Sequence, residues 1–332
     1  DYKSATRDVR RLLGELKAKN VDSVLVDLRN NGGGSLSEAI ELTGLFVGKG
    51  PVVQQRNAKG EISVEVDSRA DVVWGGPMGV LINRSSASAS EIFAAAIQDY
   101  GRGLIIGEPS YGKGTVQNMF DLDRAVKNDT PQFGELKMTI AQFFRINGGT
   151  TQLRGVTPDI LFPAVSDAQY FGESSYDNAL PWLQIKAASY APRGDLKGMV
   201  PVLTSLHETR VQKDKAFQYF KEDIAESKAL REKNLISLNE SDRRQERDRQ
   251  AARLVLRESM TPTDQAPVLQ DDGLQADERR LTQVLASETQ LKNSKDVLLD
   301  EAVQVLSDHL TLLQARVTLA SRPKQGAALV QE

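Results

Sequence analysis

The stretch from Val80 to Gln117 constrains the fold of this chain more than any other. An apolar run, Val80 to Ile82, passes through Asn83-Arg84-Ser85-Ser86-Ala87-Ser88-Ala89-Ser90-Glu91 into a helix pattern, Ile92 to Tyr100. A second apolar run, Leu104-Ile105-Ile106, precedes Gly112-Lys113-Gly114-Thr115-Val116-Gln117. Strand, turn, helix, strand is one βα step of an α/β sheet, and it puts a serine on the strand-to-helix turn. A lysine between two glycines follows one βα step later.

The flanking sequence repeats the alternation. Arg7 to Lys19 carries Val9, Leu12, Leu13 and Leu16 at helical spacing, and Val21 to Leu28 reads as a strand ending at Asp27-Leu28-Arg29-Asn30-Asn31-Gly32-Gly33-Gly34. Helical spacing resumes with Ala39, Ile40, Leu42, Leu45 and Phe46. The first 107 residues therefore predict an α/β domain with a largely parallel sheet and right-handed crossovers. Val52 to Arg56 and Ile62 to Val66 alternate around Lys59-Gly60, which predicts a hairpin hung on the main sheet, and Val72 to Trp74 reads as a further short strand. Leu136 to Ile146 reads as a long strand, turned at Asn147-Gly148-Gly149 and returned by Gly155 to Ile160.

Beyond Pro163 the composition changes. Tyr176 to Tyr190 reads as helix, and Val202 to about Glu258 is charge-rich with little to interrupt a helix before Thr261-Pro262 and Pro267. Asp277 to about Val317 repeats the pattern with Leu281, Leu285, Leu291, Leu298, Val305, Leu306, Leu310 and Leu313. The expected organisation is an α/β core over residues 1–165, a connection over 166–200, an all-α domain of two or three long helices over 201–320, and a disordered tail over 321–332.

Residue usage narrows the chemistry. With no cysteine, disulfides, thiol nucleophiles and thiolate zinc sites are excluded together. The only histidines are His207 and His309, so residues 1–206 hold neither a Ser-His-Asp triad nor a His-Glu-x-x-His site. A net charge of −3 gives no electrostatic case for nucleic acid or an anionic membrane. No apolar run approaches the roughly 18 residues of a bilayer span. Asp1-Tyr2-Lys3 runs straight into a helix pattern without a signal peptide, as in a chain that begins in mid-protein.

Acyl transfer needs a nucleophile, a base and donors for the oxyanion, and all three types are available here. Ser88 stands at a helix start, where the N–H of Ala89 and the helix dipole favour negative charge. The glycine run offers further N–H groups, from Gly34 or Gly33. Without histidine the base must be lysine, aspartate or glutamate. Lys113 qualifies only if burial lowers its pKa from about 10.4 to roughly 7–8. Gly112 and Gly114 would let its backbone approach a neighbouring segment closely, and Gln117 would orient it. In a regular strand, however, positions 113 and 117 lie about 13 Å apart, so the chain must turn or the side chains converge.

Each feature also has a plainer account. Ser88-Ala89-Ser90-Glu91 is a capping box, the triple glycine a loop, Lys113 a solvated lysine, and Asp99 a structural carboxylate. Gly107 to Lys113 fits Gly-x4-Gly-Lys, but Gly114 and a strand follow where a phosphate-binding loop needs Ser or Thr and a helix. The dinucleotide fingerprint fails because Ser37 occupies the place of its third glycine.

Taken together, Asp27 to Gly34, Ser86-Ala87-Ser88-Ala89-Ser90-Glu91-Ile92, Gln98-Asp99 and Gly112 to Gln117 closely resemble the carboxyl-terminal processing peptidases in order and spacing. The resemblance covers residues 1 to about 165 with specific motifs and the rest by general character. It implies Ser88 as nucleophile, Lys113 as general base, Gln117 orienting the lysine, and Ala89 and Gly34 as oxyanion donors, with no cofactor. It implies a core related to the crotonase and ClpP fold, substrates with non-polar C-termini, a periplasmic location and an adaptor lipoprotein as a partner. Relatives carry a PDZ domain and N-terminal helices ahead of this point, so the chain is expected to be a fragment, inactive if the PDZ domain is required. The alternative expectation is a non-catalytic scaffold whose helices bind a partner protein and whose Ser88 only caps.

Overall fold

The computed structural model describes residues 4–127, 130, 132–165, 167, 169–260 and 296–320. The chain divides into two compact units, Asp1–His207 with Ala302–Glu332, and Glu208–Glu301. In chain order the first comprises α1 (Ala5–Ala18), β1 (Val24–Asp27), α2 (Leu36–Val47), β2 (Gly50–Asn57), β3 (Ile62–Asp67), β4 (Met78–Ile82), α3 (Ala89–Asp99), β5 (Leu104–Gly107), β6 (Thr115–Asp121), α4 (Leu122–Ala125), β7 (Glu135–Phe144) and β8 (Ile160–Leu161).

The βα alternation gives the expected parallel sheet, in the spatial order β1-β4-β5-β8. All residues of β4 and β5 are buried, as in central strands covered on both faces, and this is why they read as unbroken apolar runs. Helices α2 and α3 pack together, with Phe46 and Phe93 edge to face at 5.7 Å.

The hairpin β2–β3 forms as expected but belongs to a separate antiparallel sheet, in the order β3-β2-β7-β6. Its free side pairs with β7, and Val53 and Phe143 of this second sheet pack on Ile92 and Ala96 of α3. Val72 to Trp74 is not a strand, because the N–H groups of Val73 and Trp74 both go to the Leu45 carbonyl near the end of α2, at 2.8 and 3.0 Å. Gly155 to Ile160 does not return along β7, whose two sides are taken by β2 and β6; Ile160–Leu161 instead runs parallel beside β5.

Tyr176 to Tyr190 is not helical either. Pro181 lacks the N–H a helix would use, and the segment lies extended along the turn after β7. Ile185 N–H bonds Gly148 O at 2.8 Å, Ala188 N–H bonds Ile146 O at 2.9 Å, and the Trp182 indole bonds Thr150 O at 2.9 Å. Tertiary partners thus override local helix preference.

The charged stretch is divided into three helices, α5 (Val200–Val211), α6 (Lys215–Lys233) and α7 (Glu240–Met260). Asp214 starts α6 by accepting the Ala216 N–H at 2.8 Å, and Asn234 ends it with a left-handed φ of 46°. Within the second unit, α6 and α7 are joined by Arg257 to Glu222 and Asp223, at 2.9 and 2.8 Å, and by Arg253 to Glu226. The last described helix, α8 (Val297–Ala320), buries Ala302, Val305, Leu306 and His309. The expected break at 261–267, the helical positions Leu281, Leu285 and Leu291, and the expected tail over 321–332 lie outside the described residues.

Candidate active site

The carboxyl ends of β1, β4 and β5 carry the loops that the sequence singled out. The β1 loop is docked on the β4 turn by side-chain amides. Asn83 Oδ1 accepts the Asn30 N–H and Asn83 Nδ2 donates to Asn30 Oδ1, both at 2.9 Å. Ser86 Oγ donates to Leu28 O at 2.8 Å, and Ala87 N–H to Asn31 O at 3.0 Å. Asn31 Oδ1 accepts from Ser90 Oγ and from the Gly33 N–H, each at 3.0 Å. Gly33, at φ 89°, lies so close to the serine turn that a Cβ there would stand 2.6 Å from Ala89 N and 3.1 Å from Ser88 Cβ. Only glycine fits. Gly34 is exposed beside it, with open space around its Cα.

Ser88 precedes α3 with φ 56° and ψ −114°, a conformation that turns the chain sharply from strand to helix. It is partly exposed, as is Lys113. The glycines around Lys113 serve the close approach expected of them. A Cβ on Gly114 would meet Thr150 Oγ1 at 2.5 Å and Gln152 N at 2.8 Å, and Gly112 has φ 93° against Leu153. The lysine backbone is fixed on both sides, since Thr151 Oγ1 donates to Lys113 O at 3.1 Å and the Gly114 N–H to the buried Gln152 Oε1 at 2.8 Å.

Lys113 and Gln117 do meet: Nζ donates to Gln117 Oε1 at 3.1 Å. The separation of a regular strand does not apply, because Lys113 precedes β6 and the β6–β7 register shifts between Val116 and Gln117. Nζ makes no hydrogen bond to Ser88, so the serine and lysine side chains are not directly joined here. Their backbones are joined through Glu91. Glu91 is completely buried, and its Oε2 accepts the N–H groups of both Ser88, at 2.8 Å, and Lys113, at 3.0 Å. Its Oε1 accepts from Ser110 Oγ at 2.6 Å and the Gly112 N–H at 2.7 Å.

Burial pushes the Glu91 carboxyl up to about 7, against the pull of these four donors. Burial also lowers the Lys113 pKa, helped by the nearby Lys137 charge and opposed by Glu173 and Glu91. Lys113, Gln117, Lys137 and Glu173 line a cavity of about 470 Å³ that also reaches Ala87, next to Ser88.

Sequence reasoning placed Glu91 only as the closing glutamate of a capping box. The available signal was a lone charge immediately ahead of the apolar run Ile92 to Ile97. Asp99, at the far end of α3, pairs with Arg145 at 2.6 Å and accepts from Asn147 Nδ2 at 2.8 Å. At 1.5 Å per residue, that end lies about 16 Å from Ser88. Lys113 leads into a strand, not the helix of a phosphate-binding loop. Among the described residues no helix is long and apolar enough to cross a membrane.

Comparison with known proteins gives two family matches, Peptidase family S41 over residues 1–162 and the C-terminal domain of tail specific protease over residues 166–311. The chain is 45% identical over 255 residues to the tail-specific protease of Haemophilus influenzae, covering 76% of this chain and 37% of that protein. It is 35% identical over 199 residues to the carboxy-terminal-processing protease of Bartonella bacilliformis, covering 60% of this chain and 41% of the relative. Among solved structures, the photosystem II D1 C-terminal processing protease is 29% identical with a TM-score of 0.43, over 48% of this chain and 40% of that one. The chain thus spans about two fifths of the length of these curated relatives.

Proposed function

This chain belongs to peptidase family S41 and carries the C-terminal domain of tail specific protease, and from that premise we propose that it is the catalytic portion of a serine endopeptidase. Its substrates are proteins selected by a non-polar C-terminus, its compartment is the periplasm, and an adaptor lipoprotein is its candidate partner. The reaction runs on a Ser/Lys dyad, with residues 1–165 as the peptidase core and the helices that follow as a separate part.

In this reading neutral Lys113 rotates its flexible stem from Gln117 toward Ser88 and takes the Oγ proton as Oγ attacks the substrate carbonyl carbon. The N–H groups of Ala89 and Gly34 receive the oxyanion; the Gly33 N–H is held by Asn31, which leaves its neighbour to donate. Protonated Lys113 then gives its proton to the leaving amine and the acyl-enzyme ester remains. Water attacks that ester as Lys113 accepts its proton, and Lys113 then returns that proton to Ser88 Oγ as the ester C–O bond breaks, releasing the carboxylic acid product and restoring both residues. Gln117 positions the lysine between these steps.

The observation that carries the reading is the single carboxylate oxygen of Glu91 that accepts from both Ser88 and Lys113. A serine that merely capped its helix would need no such tie to a lysine more than 20 residues away in sequence. The test is mass-spectrometric cleavage of an unfolded polypeptide with an apolar C-terminus by the full chain and its Ser88→Ala and Lys113→Ala variants. Cleavage by the parent and at least about a thousandfold loss in each variant is the expected result. If the parent cuts and Lys113→Ala cuts equally well, the dyad is wrong. If neither this chain nor a longer one with the N-terminal parts restored cuts, the scaffold reading replaces it.

A further inference from the structure

A second cavity, of about 630 Å³, lies at the opposite edge of the parallel sheet. Its walls come from the connections leading into β2, β4 and β5, around Lys49, Pro77 and Arg102, and from α8. These residues stand where the strands begin, whereas the Ser88 turn stands where they end; the five residues of β4 alone separate the two by about 17 Å. The volume falls within the range of small-molecule sites, roughly 300–1,000 Å³.

Its charged lining has one sign. Among the described residues, Lys49, Arg102 and Arg193 line it and no carboxylate does. Arg102 donates Nε to Phe46 O at 2.8 Å and Nη2 to Trp74 O and Gly76 O at 2.7 and 2.8 Å, neutral partners that orient the guanidinium without cancelling its charge. Arg193 is held by Nη2 on Lys49 O at 3.1 Å. His309 of α8 lines the same cavity, is only 3% exposed, and has no hydrogen-bond partner on either ring nitrogen among the described residues. Burial lowers its pKa, so the ring is neutral at pH 7 and presents one N–H donor. A buried polar ring without partners is costly unless something entering the cavity meets it. The remaining wall is formed by glycine backbone and by apolar side chains, Val72 and Leu313 among them.

We propose that this cavity binds a small amphipathic anion, a carboxylate on a short apolar chain, with the charge among Lys49, Arg102, Arg193 and the His309 N–H and the chain against Val72 and Leu313. A fatty acid and the free C-terminus of an apolar peptide share this chemistry. The site is independent of the reaction at Ser88, and its test uses binding alone, on the Ser88→Ala form of the full chain.

Titration calorimetry with decanoate, and with n-decanol as the uncharged control, is combined with imidazole NMR, where the chain's two histidines give two resolved systems assigned through His309→Phe. Decanoate is expected to bind and to shift the His309 signals while leaving those of His207 in place. Decanol and the Arg193→Glu variant are each expected to bind at least about tenfold more weakly, the variant with an unchanged unfolding midpoint. A short acetylated Leu-Ala-Ala peptide with a free C-terminus, set against its amide, then separates the two sources: carboxylate-dependent binding assigns the site to peptide ends, and decanoate binding alone assigns it to acyl chains. Absence of binding by both carboxylates overturns the proposal, as do equal affinities for decanoate and decanol, an unaffected Arg193→Glu variant, or a His309 signal that does not move.

Discussion

Glu91 and the acidic residues of α6 are both held by several donors, yet they do opposite kinds of work. Glu91 sits in the core with four neutral donors on two oxygens and no counter-ion among them. Glu222 and Asp223 keep 62% and 50% of their side chains exposed while sharing Arg257, which also stacks on Tyr219 at 4.5 Å. A buried carboxylate is expensive to ionise and so fixes the geometry of everything that offsets its desolvation. Pairs whose carboxylates stay in water, although Arg257 itself is largely buried, hold two helices together with less demand on atomic positions, and salt weakens them.

Between these two regions the largest effect is expected from Glu91→Gln. The amide keeps the shape but has one acceptor oxygen, so whichever way it turns, two of the four donors face an NH₂. Cleavage should fall about a hundredfold through misplacement of Ser88 and Lys113, and denaturant unfolding should show a loss of about 1–3 kcal/mol for each donor left unsatisfied. Full activity together with full stability would remove Glu91 from the site.

Titration sharpens the same contrast. Because burial raises Glu91 from 4.5 to about 7, the folded state keeps a proton that the unfolded state has already lost in that window. Stability from this group is therefore fully present below pH 4.5 and declines as pH rises toward 7, a slope that Glu91→Gln should abolish. Cleavage should move the other way, rising with pH as Lys113, its pKa lowered chiefly by burial, loses its proton. Stability falling while turnover climbs would be seen by parallel denaturation and rate measurements; a rate flat from about pH 6 to 9 would contradict lysine as base.

Gly114→Ala comes next. Its Cβ would press on Thr150 Oγ1 and the Gln152 backbone, and about 1–3 kcal/mol of stability should be lost in urea unfolding. The smallest effect belongs to the helical pair. Arg257→Ala should cost about 1 kcal/mol, less in 1 M salt, where the Debye length is only about 3 Å; a loss several times larger and indifferent to salt would show that the pair behaves like the core.

The parallel sheet was legible because its strands are buried on both faces and its helices alternate with them. The glycines around Lys113 and ahead of α2 were legible because close backbone approach excludes side chains. The second sheet was not, since a hairpin's own sequence does not say which neighbour takes its free side. Tyr176 to Tyr190 misled for a related reason: its partners, Ile146, Gly148 and Thr150, lie some 30 to 40 residues back in sequence. Glu91 was visible as a cap and invisible as a tie, because only the fold brings Gly112 and Lys113 to its two oxygens.

Ser88 stands in a backbone conformation that a chain selected for stability alone would give to glycine. Holding a larger residue there costs about 1–3 kcal/mol, so Ser88→Gly should relax the turn while removing the hydroxyl. Durability and the proposed reactivity are in direct conflict at this one position. In the proposed dyad, drift toward a sturdier protein would run through the loss of the very hydroxyl that serves as nucleophile.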